Sequence, residues 1–382
     1  MSPAERLRIP ELDGIRGLAI LLVLAWHYFS MMVHPAPGTW VWYAKVATQL
    51  GWSGVDLFFV LSGFLLGGIL LENRESPNYF KTFYARRAYR ILPIYCVVII
   101  GFAVLLGLAQ GRENAGLQHL VERPMPLWSY LTFTQNFAML SAGSFGAQGL
   151  AVTWSLAIEE QFYLFLPLLI LFVPRRSLPG LLILLIVAAP FCRGLFFLGE
   201  KPGTEGFAGF VMMPGRADAL LLGVLAAVAT RDPGFADVFA RNRVALGCLF
   251  LGLFCGMVAL SSYGRRLPPI VLHVGGQFWI AAFYAMLIVW VTARPSGALG
   301  AVMRLPALRA LGVASYAVYL FHMPVLGTVF AFALAGGQRP ALRGMSDATL
   351  VLASLALTLG LAALSWHIFE KPLLRLGHRF RY

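Results

Sequence analysis

The chain has 382 residues, of which 59% are hydrophobic and only 12% charged, and its mean hydropathy is +0.75. A soluble domain is nearer to about 45–50% apolar and about 25% charged, so a water-soluble globular fold is excluded and an integral membrane protein remains. The net charge of +13 would suggest nucleic acid in a soluble chain. Here the Lys and Arg residues fall mostly in short loops between apolar runs, which makes them topology signals rather than a nucleic-acid surface.

Run length predicts ten spans: 15–33, 50–72, 88–110, 151–173, 179–198, 214–230, 244–262, 273–293, 309–334 and 348–369. The expected fold is an all-α polytopic membrane protein: one bundle of about ten transmembrane helices, residues 1–382 forming a single domain, with both termini cytoplasmic. With that orientation about 20 of the 30 Lys and Arg residues are inside, including Arg6, Arg8, Arg16 and the Arg86, Arg87, Arg90 cluster. Arg265, Arg266, Arg339 and Arg343 fall on the opposite side. The longest connection, 111–150, is polar and aromatic; it is expected outside, as a lid or re-entrant piece. No Walker motif or dinucleotide fingerprint is present. Cys96, Cys192, Cys248 and Cys255 sit in or beside apolar runs without metal or redox spacing, so no metal centre is expected.

The first span begins Asp13-Gly14-Ile15-Arg16-Gly17 and ends Ala25-Trp26-His27-Tyr28-Phe29. It is basic, then apolar, like a signal sequence, but no small-residue cleavage site follows, so it reads as a retained span. Arg16 and His27 are eleven residues apart, which on a helix is three turns plus about 20°, with a rise of about 16 Å. They therefore share a face, with His27 near the middle of a hydrocarbon core about 30 Å thick. An imidazole at that depth is a functional-site hypothesis by default. The expected arrangement is one continuous opening running from Arg16 to His27.

The second span, 50–72, contains the stretch Gly54–Gly67, which carries Asp56 near the outer end and a Gly63/Gly67 pair that suits close helix contact. Asp56 reads either as a cap or interfacial charge, or as a partner for a histidine or an acceptor hydroxyl. Arg87 and Arg90 are three apart and share a face at the inner mouth of the third span. They read as positive-inside anchors or, with Arg16, as a seat for a polyanionic cytosolic ligand, since a guanidinium offers two donors to phosphate. In the fourth span Ser155, Glu159 and Tyr163 fall on one stripe and Glu160 points about 100° away. A stripe of that kind argues for a wet cavity. Arg216 and Asp218 open the sixth span and read as charges paired with neighbouring helices, Arg216 being also a candidate substrate contact. Ser315, Tyr319 and His322 form a stripe in the ninth span, where His322 is equally a buried, hydrogen-bonded packing histidine or a catalytic one. Glu370 would reach basic groups at the inner mouth; His34, His119, His273 and His378 are assigned no role.

These motifs together resemble the acyltransferase family 3 membrane proteins. The resemblance rests on Arg16 followed after ten residues by His27, on Asp56–Phe64, Arg87-x-x-Arg90, Trp154-Ser155-Leu156 with Glu159 and Glu160, Ser315 through His322, and Glu370-Lys371-Pro372. They run in order over nearly the whole chain. The resemblance implies a bacterial inner-membrane enzyme that moves an acyl group, commonly acetyl, from cytosolic acyl-CoA to a hydroxyl of a glycan, a lipid-linked saccharide or another cell-envelope acceptor. It implies that His27 is essential and that Arg16, Arg87 and Arg90 bind the acyl donor. It also implies acyl-CoA as a co-substrate rather than a permanently bound cofactor. The SGNH-type hydrolase domain that some members carry is not found in this sequence, so direct transfer or a separate protein partner is expected.

His27 is thus expected to act as general base, with Glu159 or Asp56 orienting it as a carboxylate does in a hydrolase triad; a covalent acyl-histidine route is open as well. Ser155, Glu160, Tyr163, Arg216 and His322 are candidate substrate contacts. The competing readings are a proton-coupled transporter of a polar small molecule, which the same composition would suit, and a non-catalytic membrane scaffold.

Overall fold

The computed structural model describes residues 9–109, 115–201, 203–263, 266–333 and 340–382. Arg6, Arg8, Arg265 and Arg339 lie outside the described residues. Among these, ten helices are long and apolar enough to cross a membrane and no strand occurs. They are α1 (Pro10–Ser30), α2 (Trp40–Glu72), α3 (Tyr79–Ala109), α4 (Gln148–Phe172), α5 (Leu178–Gly199), α6 (Met213–Thr230), α7 (Arg243–Ser262), α8 (Pro269–Ala293), α9 (Ser315–Ala333) and α10 (Met345–Gly377). All ten expected spans are present, several of them longer than their apolar runs because polar turns continue the helix.

The centre of the bundle is built from α1, α2, α4, α6, α8 and α9, whose side chains supply most of the buried apolar residues. Lipid tails are as apolar as Leu, so close packing rather than hydrophobicity holds such helices together. The α2/α6 crossing shows how. A Cβ on Gly63 would lie 1.8 Å from the Leu220 carbonyl oxygen, and one on Gly223 would lie 2.0 Å from that of Val60. The two backbones touch there, as the Gly63 position led one to expect. At Gly67 the neighbour is the Val224 side chain, 3.2 Å from where a Cβ would sit. At the other extreme α7 buries almost nothing, as suits a helix facing lipid.

The bundle also buries two ion pairs. Arg216 meets Asp56 at 2.5 Å and Arg193 meets Asp218 at 2.8 Å, all with side chains no more than 3% exposed. Arg193 further donates to the Gly215 carbonyl at 2.6 Å and to that of Val274 at 2.9 Å. These pairs clamp α2, α5, α6 and α8 together. Charges at membrane depth survive only when paired in this way.

The two ends of the bundle differ. The end of the chain folds back onto the start of α3, with Thr82 donating to the Arg381 carbonyl at 2.8 Å and Arg86 donating to that of Phe380. This is the end that holds Arg16, Arg87 and Arg90. At the opposite end the segment between α3 and α4 folds inward as short helices, Ala115–Leu120, Leu127–Leu131 and Gln135–Ala142. Its buried amides anchor it: Gln135 donates to the Thr153 carbonyl at 2.8 Å, and Asn136 to that of Val211 at 3.1 Å.

Candidate active site

The last turn of α1 is a π turn, Trp26–Ser30, closed by Met31 N–H donating to the Trp26 carbonyl at 2.9 Å. Single π turns inside α-helices are frequent at functional sites. This one carries His27. Its Nδ1 lies 3.0 Å from the Val23 carbonyl, a group that can only accept, so Nδ1 carries the proton. From α9, His322 approaches with Nε2 3.3 Å from the same Nδ1, and the two rings are 4.9 Å apart, centroid to centroid. His322 is held in turn: its Nδ1–H donates to the Tyr319 carbonyl at 2.6 Å. That leaves the His322 Nε2 lone pair to accept from His27, and the His27 Nε2 lone pair unengaged by either partner. Tyr28 braces α9 by donating to the His322 carbonyl at 2.8 Å and meeting Thr358 of α10 at 2.9 Å.

Two cavities lie in this part of the bundle, and His27 lines the larger of them. The larger, about 890 Å³, holds His27 in its wall with Trp26, Trp52 and Trp154, and it extends to the inward-folded segment through His119, Phe145 and Gln148. The smaller, about 170 Å³, starts from the opposite end. It is lined by Arg16, Arg87, Arg90, Ser155, Glu159 and Tyr163, which brings together six of the residues singled out in the sequence. Arg16 and His27 thus line two separate cavities rather than the one continuous opening expected, with Val55 and Tyr319 in the walls of both. Tyr319 is held there by its hydroxyl, which lies 2.9 Å from the Val152 carbonyl and 2.6 Å from Ser155 Oγ.

The smaller cavity is electropositive at one end. Among the described residues, Arg87 and Arg90 form no hydrogen bond or ion pair, although both line the cavity. Arg16 is tied to Asp13 at 2.9 Å. Tyr163 meets Ser62 across the cavity, and Glu159 sits on the same wall. Glu160 lies to the side of it, with one buried carboxylate oxygen that accepts no hydrogen bond among the described residues.

Two expectations about partners come out differently. Neither Asp56 nor Glu159 is among the described hydrogen-bond partners of the His27 ring; those are Val23 and His322. Asp56 is engaged by Arg216. Arg216, for its part, is enclosed behind the larger cavity, its guanidinium 5.6 Å from the Phe59 ring centroid and 5.4 Å from that of Phe210. Tyr319, read from the sequence only as part of a stripe with Ser315 and His322, joins the site as the shared wall, and His273 and Gln277 of α8, which were assigned no role, join the lining of the larger cavity.

A family profile described as an acyltransferase domain matches residues 9–367. A putative peptidoglycan O-acetyltransferase of Bacillus subtilis is 28% identical over 389 residues, an alignment that takes in 97% of this chain and 56% of the relative. The O-acetyltransferase OatA of Staphylococcus aureus is 26% identical over 384 residues, covering 97% of this chain and 58% of the relative. The peptidoglycan O-acetyltransferase OatA of Listeria monocytogenes is 28% identical over 338 residues, covering 84% and 50%. The chain thus spans a little over half the length of the first two relatives and half of the third. No solved structure matches it significantly.

Proposed function

The chain belongs to the acyltransferase 3 family, and from that premise we propose that it is a multi-pass O-acyltransferase of the bacterial inner membrane, moving an acetyl group from cytosolic acetyl-CoA to a hydroxyl of a cell-envelope glycan. The observation that carries this reading is the pair of cavities that share Tyr319 in their walls, one lined by two guanidiniums that form no ion pair among the described residues and the other holding His27. A phosphate-rich donor suits the first and a bulky, polyhydroxylated acceptor suits the second. That a peptidoglycan O-acetyltransferase and a putative one align along the chain supports a glycan acceptor.

The donor's phosphates stay at the mouth of the smaller cavity with Arg87 and Arg90, whose planar forks match phosphate oxygens. Its thioester arm runs along α1 towards His27, a rise of about 16 Å over eleven residues, and passes the Tyr319 ring. An acceptor hydroxyl enters through the larger cavity. Nε2 of His27 takes the hydroxyl proton as the oxygen attacks the thioester carbonyl, and the C–S bond then breaks. The proton on Nε2 passes to the leaving thiolate, giving free CoA and the ester. His322 is the positioning residue: with Nε2 as acceptor it fixes the His27 tautomer and stabilises the transient imidazolium, the role a carboxylate has in a hydrolase triad.

The test uses membranes containing the chain, incubated with labelled acetyl-CoA and glycan. Label appearing in an alkali-labile ester on the glycan, and loss of that ester from the surface glycans of cells lacking the gene, is the expected result. Transport of a solute with no acyl transfer and no CoA release would overturn the reading.

A further inference from the structure

In the proposed transfer step the working groups come from α1 and α9, yet much of the larger cavity is walled by tryptophan. Trp26 of α1, Trp52 of α2 and Trp154 of α4 all line it, together with Phe145 and Phe210. The transfer step leaves the three indoles unused.

Trp154 is 6% exposed and lines the larger cavity but not the smaller. Among the described residues its indole N–H has no hydrogen-bond partner, and its nitrogen is not one of the fully enclosed side-chain atoms left without one. The nitrogen therefore keeps open surface, and the cavity is the space that surface meets. The same holds for the half-buried Trp26 and Trp52. A buried indole N–H normally finds a partner, as that of Trp279 does by donating to the Leu253 carbonyl at 2.8 Å. An N–H left open in a mostly apolar wall is a donor placed for a ligand oxygen.

The Trp154 ring is held in place. Its centroid is 4.4 Å from that of Phe210, and it meets Phe59 edge-on at 6.1 Å. It also stands beside the wall shared by the two cavities, since the next residue, Ser155, has its Oγ 2.6 Å from the Tyr319 hydroxyl. The charge in the cavity narrows the ligand class. Among the described residues, the carboxylate and guanidinium in its lining are those of Glu122 and Arg123, which lie 3.8 Å apart. A lipid chain would need no N–H donors, and a single oxyanion would not need three spread over three helices. A neutral sugar ring matches both features: its C–H faces pack on flat aromatic surface, and its oxygens accept from N–H groups.

We propose that Trp154, with Trp26 and Trp52, forms a subsite for a neutral saccharide unit of the acceptor, the Trp154 N–H donating to a sugar oxygen that is not itself acylated. The assignment rests on the proposed O-acyltransferase reading. A cavity of about 890 Å³ is at the upper end of the range for pockets that enclose a whole ligand, about 300–1,000 Å³, so it has room for a unit larger than the reacting hydroxyl alone.

The experiment uses the full chain in membranes with labelled acetyl-CoA and two probes, a β-1,4-linked N-acetylglucosamine pentamer and cellopentaose. Trp154→Phe should raise the acceptor KM about tenfold, the effect of losing one buried hydrogen bond, and leave the acetyl-CoA KM unchanged. Replacing Trp154 with 3-benzothienylalanine, which keeps the bicyclic ring and has sulfur in place of the N–H, should give the same rise; if Trp154→Phe fails to accumulate, this replacement decides alone. Trp279→Phe, which removes an indole N–H already engaged elsewhere, should leave the acceptor KM unchanged. A penalty on the acetamido probe alone identifies the acetamido carbonyl as the acceptor of the bond; an equal penalty on both identifies a hydroxyl oxygen. If the wild-type chain acylates a probe and neither replacement of Trp154 moves the acceptor KM, the subsite is wrong and the O-acyltransferase reading stands. A fall in kcat with the acceptor KM unchanged would place the N–H at the reacting carbonyl and overturn the subsite. An equal rise in Trp279→Phe would show a packing effect and overturn it too. If the wild-type chain acylates neither probe nor any envelope glycan, the reading beneath the subsite fails as well.

Discussion

Nε2 of His322 stands 3.3 Å from Nδ1 of His27, although 295 positions separate the two in the chain. Because His322 donates its other nitrogen to the Tyr319 carbonyl, it can only accept from His27 when neutral. The pair is thus directional, and it sets which nitrogen of His27 is free to take a proton. Replacing His322 with Ala should lower kcat by about 10²-fold, the lower range for an acid–base contribution, with the acetyl-CoA KM unchanged. His322→Gln, whose amide oxygen can accept from Nδ1–H, should recover part of the loss. A change confined to KM, with kcat intact, would place His322 in substrate contact instead.

Arg87 and Arg90 line the smaller cavity together with Glu159, and neither guanidinium forms an ion pair among the described residues. Alanine at either position should raise the acetyl-CoA KM about tenfold or more, as expected for a charge-assisted hydrogen bond. The acceptor KM should not move. Lysine should rescue only in part, because a point charge does not reproduce the guanidinium fork. Steady-state kinetics with each substrate varied in turn checks this.

Tyr319 is the one aromatic side chain lining both cavities. Tyr319→Ala should join the compartments and let water reach the thioester, so acceptor-independent release of CoA should rise while transfer to glycan falls. Tyr319→Phe keeps the ring but loses the hydroxyl contacts with Ser155 and Val152, and its leak should be smaller. Equal CoA release in all three proteins would show that the ring is no partition.

The Asp56–Arg216 pair predicts a stability effect rather than a kinetic one. Asp56→Asn leaves a buried guanidinium without its counter-charge, which typically costs about 3–5 kcal/mol, so the protein should accumulate poorly and melt earlier in detergent. Arg216→Met alone should behave likewise, whereas the double variant Asp56→Leu with Arg216→Met should recover much of the stability. A thermal-melt comparison of the four proteins checks it.

The spans were legible in the sequence because hydrophobic run length is a local property, and so was the set Arg16, Arg87, Arg90, Ser155, Glu159 and Tyr163, since each lies on a helical stripe whose face the spacing fixes. What each stripe faces was not legible. Helical periodicity gives an angle, whereas the partner of Asp56 comes from a helix 160 residues away. An available signal was the balance of charges in the spans: Arg193 and Arg216 against Asp56 and Asp218 form two complete pairs. The π turn at His27 and the place of Tyr319 in the walls of both cavities have no local sequence signature. Both depend on where α9 packs.

The central claim is that His27 performs the proton transfer. It is tested most directly by assaying His27→Ala for acetyl transfer from labelled acetyl-CoA to glycan, with insertion and accumulation measured alongside. The account predicts a variant that inserts and accumulates as wild type does, binds acetyl-CoA with unchanged affinity and transfers no acetyl. Transfer retained at a rate comparable to wild type would contradict it.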